Sequence, residues 1–376
     1  VTDVLISGAS VAGMTTAYWL TQHGCSVAVV ERSLGLRRGG QAIDVRGPAL
    51  TVLERMSLRS AAYGLRTRIR GASVVDRDGN ELSRDTESTP TGGVIDSADI
   101  ELLRDDLIEL LYDATKLSVE YLFYDSIASL DDDGTAMAVT FDRGDVRKFD
   151  LVIGADGLHS NVRGLVFGSE EQFIERLGTH AAIFTVPNFL QLDYWQTWHY
   201  GDSTMAGVYS ARNNTEARAM LGFMDTDLRI DYRDTEAQFA ELERRMAGEG
   251  WVRPQLLEYM RDASDFYFDE MSQIKMDRWS KGRVALVGDA GYCCSPLSGQ
   301  GTSVALLGAY ILAGELKAAT QDGVVDYELG FANYHKEFND YVKRNQWLVV
   351  DNIPGGAPIP QEVFDRIVSS ITLKDY

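Results

Sequence analysis

The chain has 376 residues, 45% apolar and 24% charged, which is ordinary globular usage with room for two domains at roughly 150 residues each and excludes a disordered polypeptide. Its 56 acidic against 36 basic residues leave a net charge of −20, a field that repels phosphate backbones and anionic lipid, so neither nucleic acid nor a membrane is an expected partner. Three cysteines, two of them adjacent (Cys293, Cys294), five scattered histidines and no apolar run near the ~18 residues that span a bilayer argue against a disulfide framework, a metal cluster or a membrane span, and a reducing, cytoplasmic setting is expected.

The first thirty residues read as a βαβ unit: an apolar strand over 3–7, a glycine turn, an apolar helix over 11–23 and a β-branched strand over 26–30. No basic segment precedes the first strand, so no signal peptide is expected. The turn Gly8-Ala9-Ser10-Val11-Ala12-Gly13 is a G-x-S-x-x-G form of the dinucleotide fingerprint. Gly8 allows the tight turn, Gly13 lets the helix pack closely on the strand, and Ser10 stands where a middle glycine would let backbone approach a pyrophosphate. Glu31 ends the second strand about 20 residues on, where a carboxylate accepts hydrogen bonds from ribose hydroxyls, with Arg32 beside it. The plainer alternative, a glycine-rich turn with a solvated glutamate, is disfavoured by the complete βαβ context.

Segment 36–47 places Arg37, Arg38 and Arg46 around Gly39, Gly40 and Gln41, and reads as a mobile cofactor-edge loop or as a solvated basic run. Helical patterns come next at 48–56 and 100–114, with a strand over 72–76 that turns at Asp78-Gly79-Asn80. The stretch 81–95, polar and rich in Thr, Ser and Gly, reads as a mobile loop. Alternating runs at 136–141 and 148–153, joined through 142–145, read as a hairpin. From 178 to 273 the texture becomes aromatic and alternating, with strands expected over 181–186, 195–200, 205–209 and 219–223, a second antiparallel sheet overlaid by amphipathic helices at 235–246 and 254–260. A buried strand over 284–287, long helices over 303–319 and 325–349, a Pro/Gly breaker over 353–360 and a last short helix over 361–371 complete the chain. The expected fold class is α/β, α+β overall. Its cofactor domain is discontinuous (1–75, 96–177 and 274–322), its substrate domain comprises 76–95 and 178–273, and C-terminal helices fill 323–376.

Two further segments sharpen the reading. Residues 150–163 contain Asp156-Gly157, Ser160 and Arg163; residues 282–301 contain Gly288-Asp289, Pro296 and Gly299-Gln300-Gly301. They resemble the Asp-Gly and Gly-Asp motifs of the group A FAD-dependent aromatic monooxygenases, the para-hydroxybenzoate hydroxylase type, and with the N-terminal unit the resemblance spans most of the chain. It implies a Rossmann-like FAD domain in which Asp289 holds the ribityl chain, Arg104 reaches FAD from its helix, and Gly40, Gln41 and Arg46 edge the flavin. The N–H groups of Gly299, Gln300 and Gly301, opening a long helix, would face the flavin and stabilise developing negative charge. Asp156 and Gly157 would serve FAD and a transient NAD(P)H. Without a ligand, Arg104 would simply occupy a polar helix face, and Ser160 and Arg163 would cap and end a helix. The implied chemistry belongs to the cofactor: hydride passes from NAD(P)H to flavin N5, O2 adds at C4a, and the hydroperoxide hands an electrophilic hydroxyl to an electron-rich ring, so no catalytic side chain is named. The Cys293-Cys294 pair reads as small residues in a tight turn rather than redox thiols.

Within that family the chain most resembles the tetracycline-inactivating flavin monooxygenases, through 39–47, 182–188, 265–269 with 273–276, and 288–301; Tyr292 stands where most group A enzymes carry His. The resemblance implies a polycyclic phenolic substrate, with another aromatic polyketide as the alternative to a tetracycline. Phe184, Trp195, Trp198, His199, Tyr209, Phe223 and Met224 are the expected cavity wall, although alternation sends only half of any strand to one face. Two other classes compete. A non-catalytic flavoprotein could sequester the same compound, whereas a flavin halogenase needs a W-x-W-x-I-P stretch that 195–200 does not supply. The choice of NADH or NADPH, and of monomer or homodimer, stays open.

Overall fold

The computed structural model describes residues 1–349 and 359–376, so most of the expected 353–360 breaker lies outside the described residues. Apolar runs without alternation make strands buried on both faces. They assemble a six-stranded sheet in the order Ser280–Lys281, Val284–Leu286, Leu151–Gly154, Asp3–Ser7, Ser26–Glu31, Glu120–Phe123, parallel except at the first pair. Asp3–Ser7 lies at its centre, and the chain leaves it toward Ser26–Glu31 on one side while Leu151–Gly154 pairs on the other. Its C-terminal end is therefore a topological switch point, where such sheets open a ligand crevice. Helices Val11–Gln22 and Gly301–Ala318 pack on each other, and Tyr327–Trp347 packs on the latter. Gly301–Ala318 is apolar nearly all round and correspondingly buried, an interior helix rather than a surface one. No helix among the described residues is long and apolar enough to cross a membrane.

The second sheet has seven strands in the order Tyr267–Ile274, Ile174–Pro187, Glu216–Met224, Thr204–Ala211, Gln196–Tyr200, Ala72–Val75, Glu81–Asp85. Its alternation is strict. Ala182, Phe184, Val208, Ala219, Leu221 and Phe223 face helices Thr235–Met246 and Arg253–Asp262, while Ile183, Trp198, Met205, Tyr209 and Met220 face the other way.

Four local expectations change. The helix expected over 100–114 is a strand at Ile100–Leu103, paired with Ala42–Val45, before the helix Arg104–Thr115 begins. The run over 148–153 splits at Asp150, whose carboxylate accepts the Asp3 N–H at 2.8 Å: Val146–Phe149 completes a hairpin with Met137–Phe141, and Leu151–Gly154 enters the parallel sheet. The expected 81–95 loop holds the edge strand Glu81–Asp85 and a small hairpin, Ser88–Thr89 with Gly93–Val94. Finally, Ala72–Val75, expected at the end of the cofactor-domain segment 1–75, pairs with Gln196–Tyr200 and so sits in the second sheet.

Charged clamps join the two sheets. Arg212 binds Asp105 at 2.7 Å and Asp106 at 2.6 Å, and buried Arg218 donates to Gly40 O at 3.1 Å. On the opposite side His159 lies between Glu170 (2.9 Å) and Asp269 (3.1 Å), its ring stacked on Tyr232 at 3.8 Å. Burial opposes a charge on this imidazole, but the hydrogen-bonded carboxylates of Asp269 and Glu170 outweigh it and raise His159 to about 9. An unfolded histidine titrates near ~6.5. The contact therefore stabilises fully below that pH and is lost as pH rises through about 9. Between pH ~6.5 and ~9.5 the wild-type protein should lose up to about 2 kcal/mol of stability that a His159→Gln variant does not lose; parallel denaturation curves across that range would refute the assignment.

Candidate active site

The fingerprint turn is held by close contacts. Gly8 has φ 107°, and a Cβ there would lie 2.6 Å from Ala155 O; a Cβ on Gly13 would run into Gly8 O. Ser10 caps the helix, its hydroxyl accepting the Gly13 N–H at 3.1 Å and donating to Ala155 O at 2.8 Å. The residue in the middle-glycine position thus ties the first turn to the Asp-Gly segment. Gly288 (φ 66°) brings the Gly-Asp segment onto the same turn, where its Cβ would sit 2.8 Å from that of Ala12. Arg163, fully buried, completes the weld: it donates to Ala290 O at 3.0 Å, to Leu158 O at 2.6 Å and to Glu170 at 2.7 Å. Ser160 caps the helix Asn161–Phe167. Ser160 thus takes its structural alternative, whereas Arg163, third in that helix, does not end it but ties it to Ala290 and Glu170.

Three contiguous chambers run from this turn. The first, about 800 Å³, is lined by Gly8, Ser10, Glu31, Arg32, Asp156 and Gly157. Glu31 accepts the Ala9 and Ser33 N–H groups, each at 3.0 Å, one on each oxygen, and each oxygen keeps a further lone pair. Asp156 is occupied internally, by the Ser160 hydroxyl at 2.5 Å and the Val162 N–H at 3.0 Å. The second chamber, about 260 Å³, shares Ser10, Arg104 and Gly157 with the first and adds Val11, Ala12, Gln41, Asp289, Pro296 and Gly301. Asp289 is open to this chamber yet deep in the protein; desolvation pushes its carboxyl up, while a hydrogen bond from Cys293 and the nearby Arg104 charge pull it down. Around Gly299 and Gly301, at the start of helix Gly301–Ala318, a Cβ would meet nothing within 4 Å, so the positive end of that helix faces open space.

Three other expected cofactor residues, Gly40, Arg46 and Gln300, stand back from the first two chambers. Gln300 is buried beneath the helix start, its amide without a hydrogen-bond partner among the described residues. Gly40 lies over Arg104, where a Cβ would come within 3.4 Å of the arginine side chain. Arg46 lines neither of the first two chambers; ion pairs with Asp44 (2.9 Å) and Asp99 (3.5 Å) hold it in the wall of the third. Tyr292 is core, its hydroxyl 2.7 Å from that of Tyr334 and packed where Gly308 leaves no side chain. Cys293 and Cys294 are free and buried, and burial raises both thiols far above their usual range, which removes the thiolate a redox role needs.

The third chamber, about 780 Å³, opens from the second through Gln41, Ala42, Thr91, Pro296 and Gly299. Trp198 and Tyr209 line it as expected. The Trp198 ring lies over Gly207, and its N–H donates to Gln196 at 3.0 Å; the Tyr209 hydroxyl accepts the Ala42 N–H at 3.0 Å. The other expected wall residues do not line it. Phe184 and Phe223 have the opposite parity and form the core beneath the helices. His199 turns the same way and bonds Arg253 at 2.8 Å. Trp195 donates to Ser73 at 2.8 Å under Arg84, and Met224 lies past the chamber at its strand end. In their place are Met205, Met220, Tyr200, Met271 and Phe364. Anchoring the alternation on Trp198 would have found the first three; Phe364 comes from helix Gln361–Val368, which nothing in its sequence ties to this sheet.

Residues 1–345 match the FAD binding domain family. The chain is 79% identical, over 99% of each sequence, to an uncharacterized protein of Mycobacterium tuberculosis, and 38% identical to a flavin-dependent monooxygenase of Legionella longbeachae, covering 98% of this chain and 95% of that one. It is similar to the solved structure of the tetracycline destructase Tet(51), with a TM-score of 0.89 at 34% identity over the whole of both chains. Three motifs converging on one crevice, together with these likenesses, establish that the chain belongs to the FAD binding domain family of flavin-dependent monooxygenases.

Proposed function

We propose that the protein hydroxylates a polycyclic phenol or enol, using FAD, NAD(P)H and O2, with FAD in the first two chambers and the substrate in the third. The observation that carries this reading is their continuity: an elongated crevice at the switch point opens directly into a cavity walled by aromatic residues and methionines. The residues fit the cofactor. Glu31 offers free lone pairs for a ribose, Arg104 stands at the junction where a pyrophosphate would lie, Asp289 presents a carboxylate for ribityl hydroxyls, and the helix start at Gly299 and Gly301 has room for a ring that takes up negative charge.

When bound, FAD supplies the oxygen-transfer chemistry. The chain's own task is to orient the substrate and exclude water. Trp198, packed over Gly207 and bordering the third chamber, is the surface on which a fused ring system would stack, and an aromatic pair of this kind adds about 0.5–1.5 kcal/mol beyond area burial. Tyr209 stays protonated, since burial drives its phenol far above the usual range, and its hydroxyl fixes the Gln41-Ala42 backbone between the second and third chambers. The likeness to a tetracycline destructase supports a tetracycline as the first compound to try.

The purified protein should be yellow, with about one FAD per chain released on denaturation. Asp289→Ala should weaken FAD binding about 10- to 100-fold, the cost of losing a charged hydrogen-bond partner in a desolvated site, and Glu31→Gln less, because the amide keeps one acceptor. Asp85→Ala, in the exposed edge strand, is the control; equal flavin occupancy in Asp289→Ala and Asp85→Ala would contradict the assignment. Tetracycline or chlortetracycline should accelerate NADPH oxidation and give a product one oxygen heavier. Peroxide alone would make the compound an effector, and tight binding without oxidation would favour sequestration.

A further inference from the structure

Behind the wall of the second chamber lies a pair of acids that the proposed chemistry does not use. Asp44 and Glu101 are direct partners in the antiparallel ladder of Ala42–Val45 and Ile100–Leu103, so their side chains leave the same face of the pair. Asp44 is only 6% exposed and lines the second chamber; its Oδ2 meets Arg46 at 2.9 Å, and its Oδ1 has no hydrogen-bond partner among the described residues. Glu101 accepts the hydroxyls of Thr67 and Thr91, the latter at 2.7 Å, and is enclosed so closely that a Cβ on Gly92 would lie 2.4 Å from its Oε2. Thr91 in turn lines the second chamber, so both acids stand directly against it.

The charges of this group do not balance. Arg46 is the cation that acts on both acids, and Asp99 draws on it as well, at 3.5 Å. Helix Gly301–Ala318, packed on Ala42–Val45, contributes the Ser303 hydroxyl, which accepts the Arg46 N–H at 2.9 Å. From the seven-stranded sheet the Tyr209 phenol faces Glu101 and stays protonated, and Arg104 and Asp289 line the same chamber with opposite charges. Fully ionised, Asp44, Glu101 and Asp99 would share one cation out of water, and two like charges directly across a ladder repel. One proton on the Asp44 and Glu101 pair removes that repulsion, the general solution where two close carboxylates cannot both ionise. Burial, and the facing Glu101 against the pull of Arg46, push the Asp44 carboxyl up to about 7. Burial raises Glu101 too, although the two hydroxyls and Arg46 favour its charge.

We propose that Asp44 and Glu101 share one proton, and that this proton limits the negative charge beside the second chamber, so that a cofactor reduced there gains charge against a less negative wall. The inference rests on the reading that FAD occupies this chamber. The proton is not transferred: it stays on the pair, and the two residues act on the cofactor through charge. The open helix start at Gly299 and Gly301 works in the same direction from another side of the chamber.

The FAD-loaded protein and its Asp44→Asn and Glu101→Gln variants are reduced against reference dyes from pH ~6 to ~9, and infrared spectra are recorded over the same range. Each variant leaves one carboxylate of the pair to Arg46, so each keeps one charge there throughout. Relative to either variant, the wild-type protein should show the same preference for reduced over oxidised FAD at pH ~6 and a preference about tenfold weaker at pH ~9, a fall of about 30 mV in the two-electron potential and the order of one added unit charge in a protein interior. The wild-type minus variant infrared spectrum should contain the C=O stretch of a protonated carboxyl at pH ~6 and lose it as pH rises. Absence of that band overturns the proposal, as does a potential whose pH dependence is the same in all three proteins. If neither variant retains FAD, the wild-type spectra decide, and carboxyl bands that do not change over the range overturn it. The band and the shift together, with no oxygenated product from tetracycline and NADPH, uphold the shared proton and sink the monooxygenase reading. An oxygenated product without the shift does the reverse, and a protein that takes up no FAD sinks both.

Discussion

Around the end of the central strand Asp3–Ser7 there is no room for a Cβ at Gly8, Gly13 or Gly288, and the rest of the molecule is arranged to satisfy that contact. Gly8 abuts Ala155 of the Asp-Gly segment, Gly13 abuts Gly8, and Gly288 of the Gly-Asp segment abuts Ala12. Three stretches separated by well over a hundred residues thus meet within van der Waals range. A crevice exists there because backbone, not side chains, forms its floor. Ser10, bonded to Ala155, and Arg163, bonded to Ala290, hold the convergence by hydrogen bonds that need no ligand.

The same backbone economy couples the cofactor crevice to the substrate cavity. The loop over 39–42 borders both, and it is fixed from three directions: Asp105 accepts the Gly39 N–H at 3.1 Å, Arg218 donates to Gly40 O at 3.1 Å, and Tyr209 accepts the Ala42 N–H at 3.0 Å. Two of these partners belong to the seven-stranded sheet, while Asp105 is itself bound by Arg212 in the turn between two of its strands. Displacing the sheet would therefore move the 39–42 loop, whose Gln41 and Ala42 border the second and third chambers.

The cofactor half was legible in the sequence because its requirements are backbone requirements. A glycine at a fixed offset from a strand, an acid one strand later and a Gly-Asp pair at a strand end each reflect a steric or electrostatic demand that few other residues meet. Elsewhere a tertiary contact decides against the local pattern. Ile100–Leu103 shares its helical spacing with Arg104–Thr115, but pairing with Ala42–Val45 makes it a strand. Arg46 has the charge of a cofactor-edge cation, but Asp44 and Asp99 draw it into the neighbouring cavity. Phe184 and Phe223 carry the right chemistry with the wrong parity, and a single register position separates a cavity wall from a hydrophobic core.

That asymmetry has a consequence for how such proteins diverge. The crevice floor is specified by the close contacts at Gly8, Gly13 and Gly288, and few side chains line it beyond Ser10, Glu31, Arg104 and Asp289. The cavity is walled by residues of five strands of the second sheet, by a loop over 89–99, by segments 41–46 and 296–299 and by one helix from the far end of the chain. The opposite face of the same strands carries the packing against the two helices, while Trp198 and Tyr209 pack with Ala72 and Ile183 on the cavity side. At 34% identity the chain superposes on a tetracycline destructase throughout. On the proposed reading, selectivity resides in side chains such as Trp198 and Met220, and the reaction class resides in the backbone that would receive FAD.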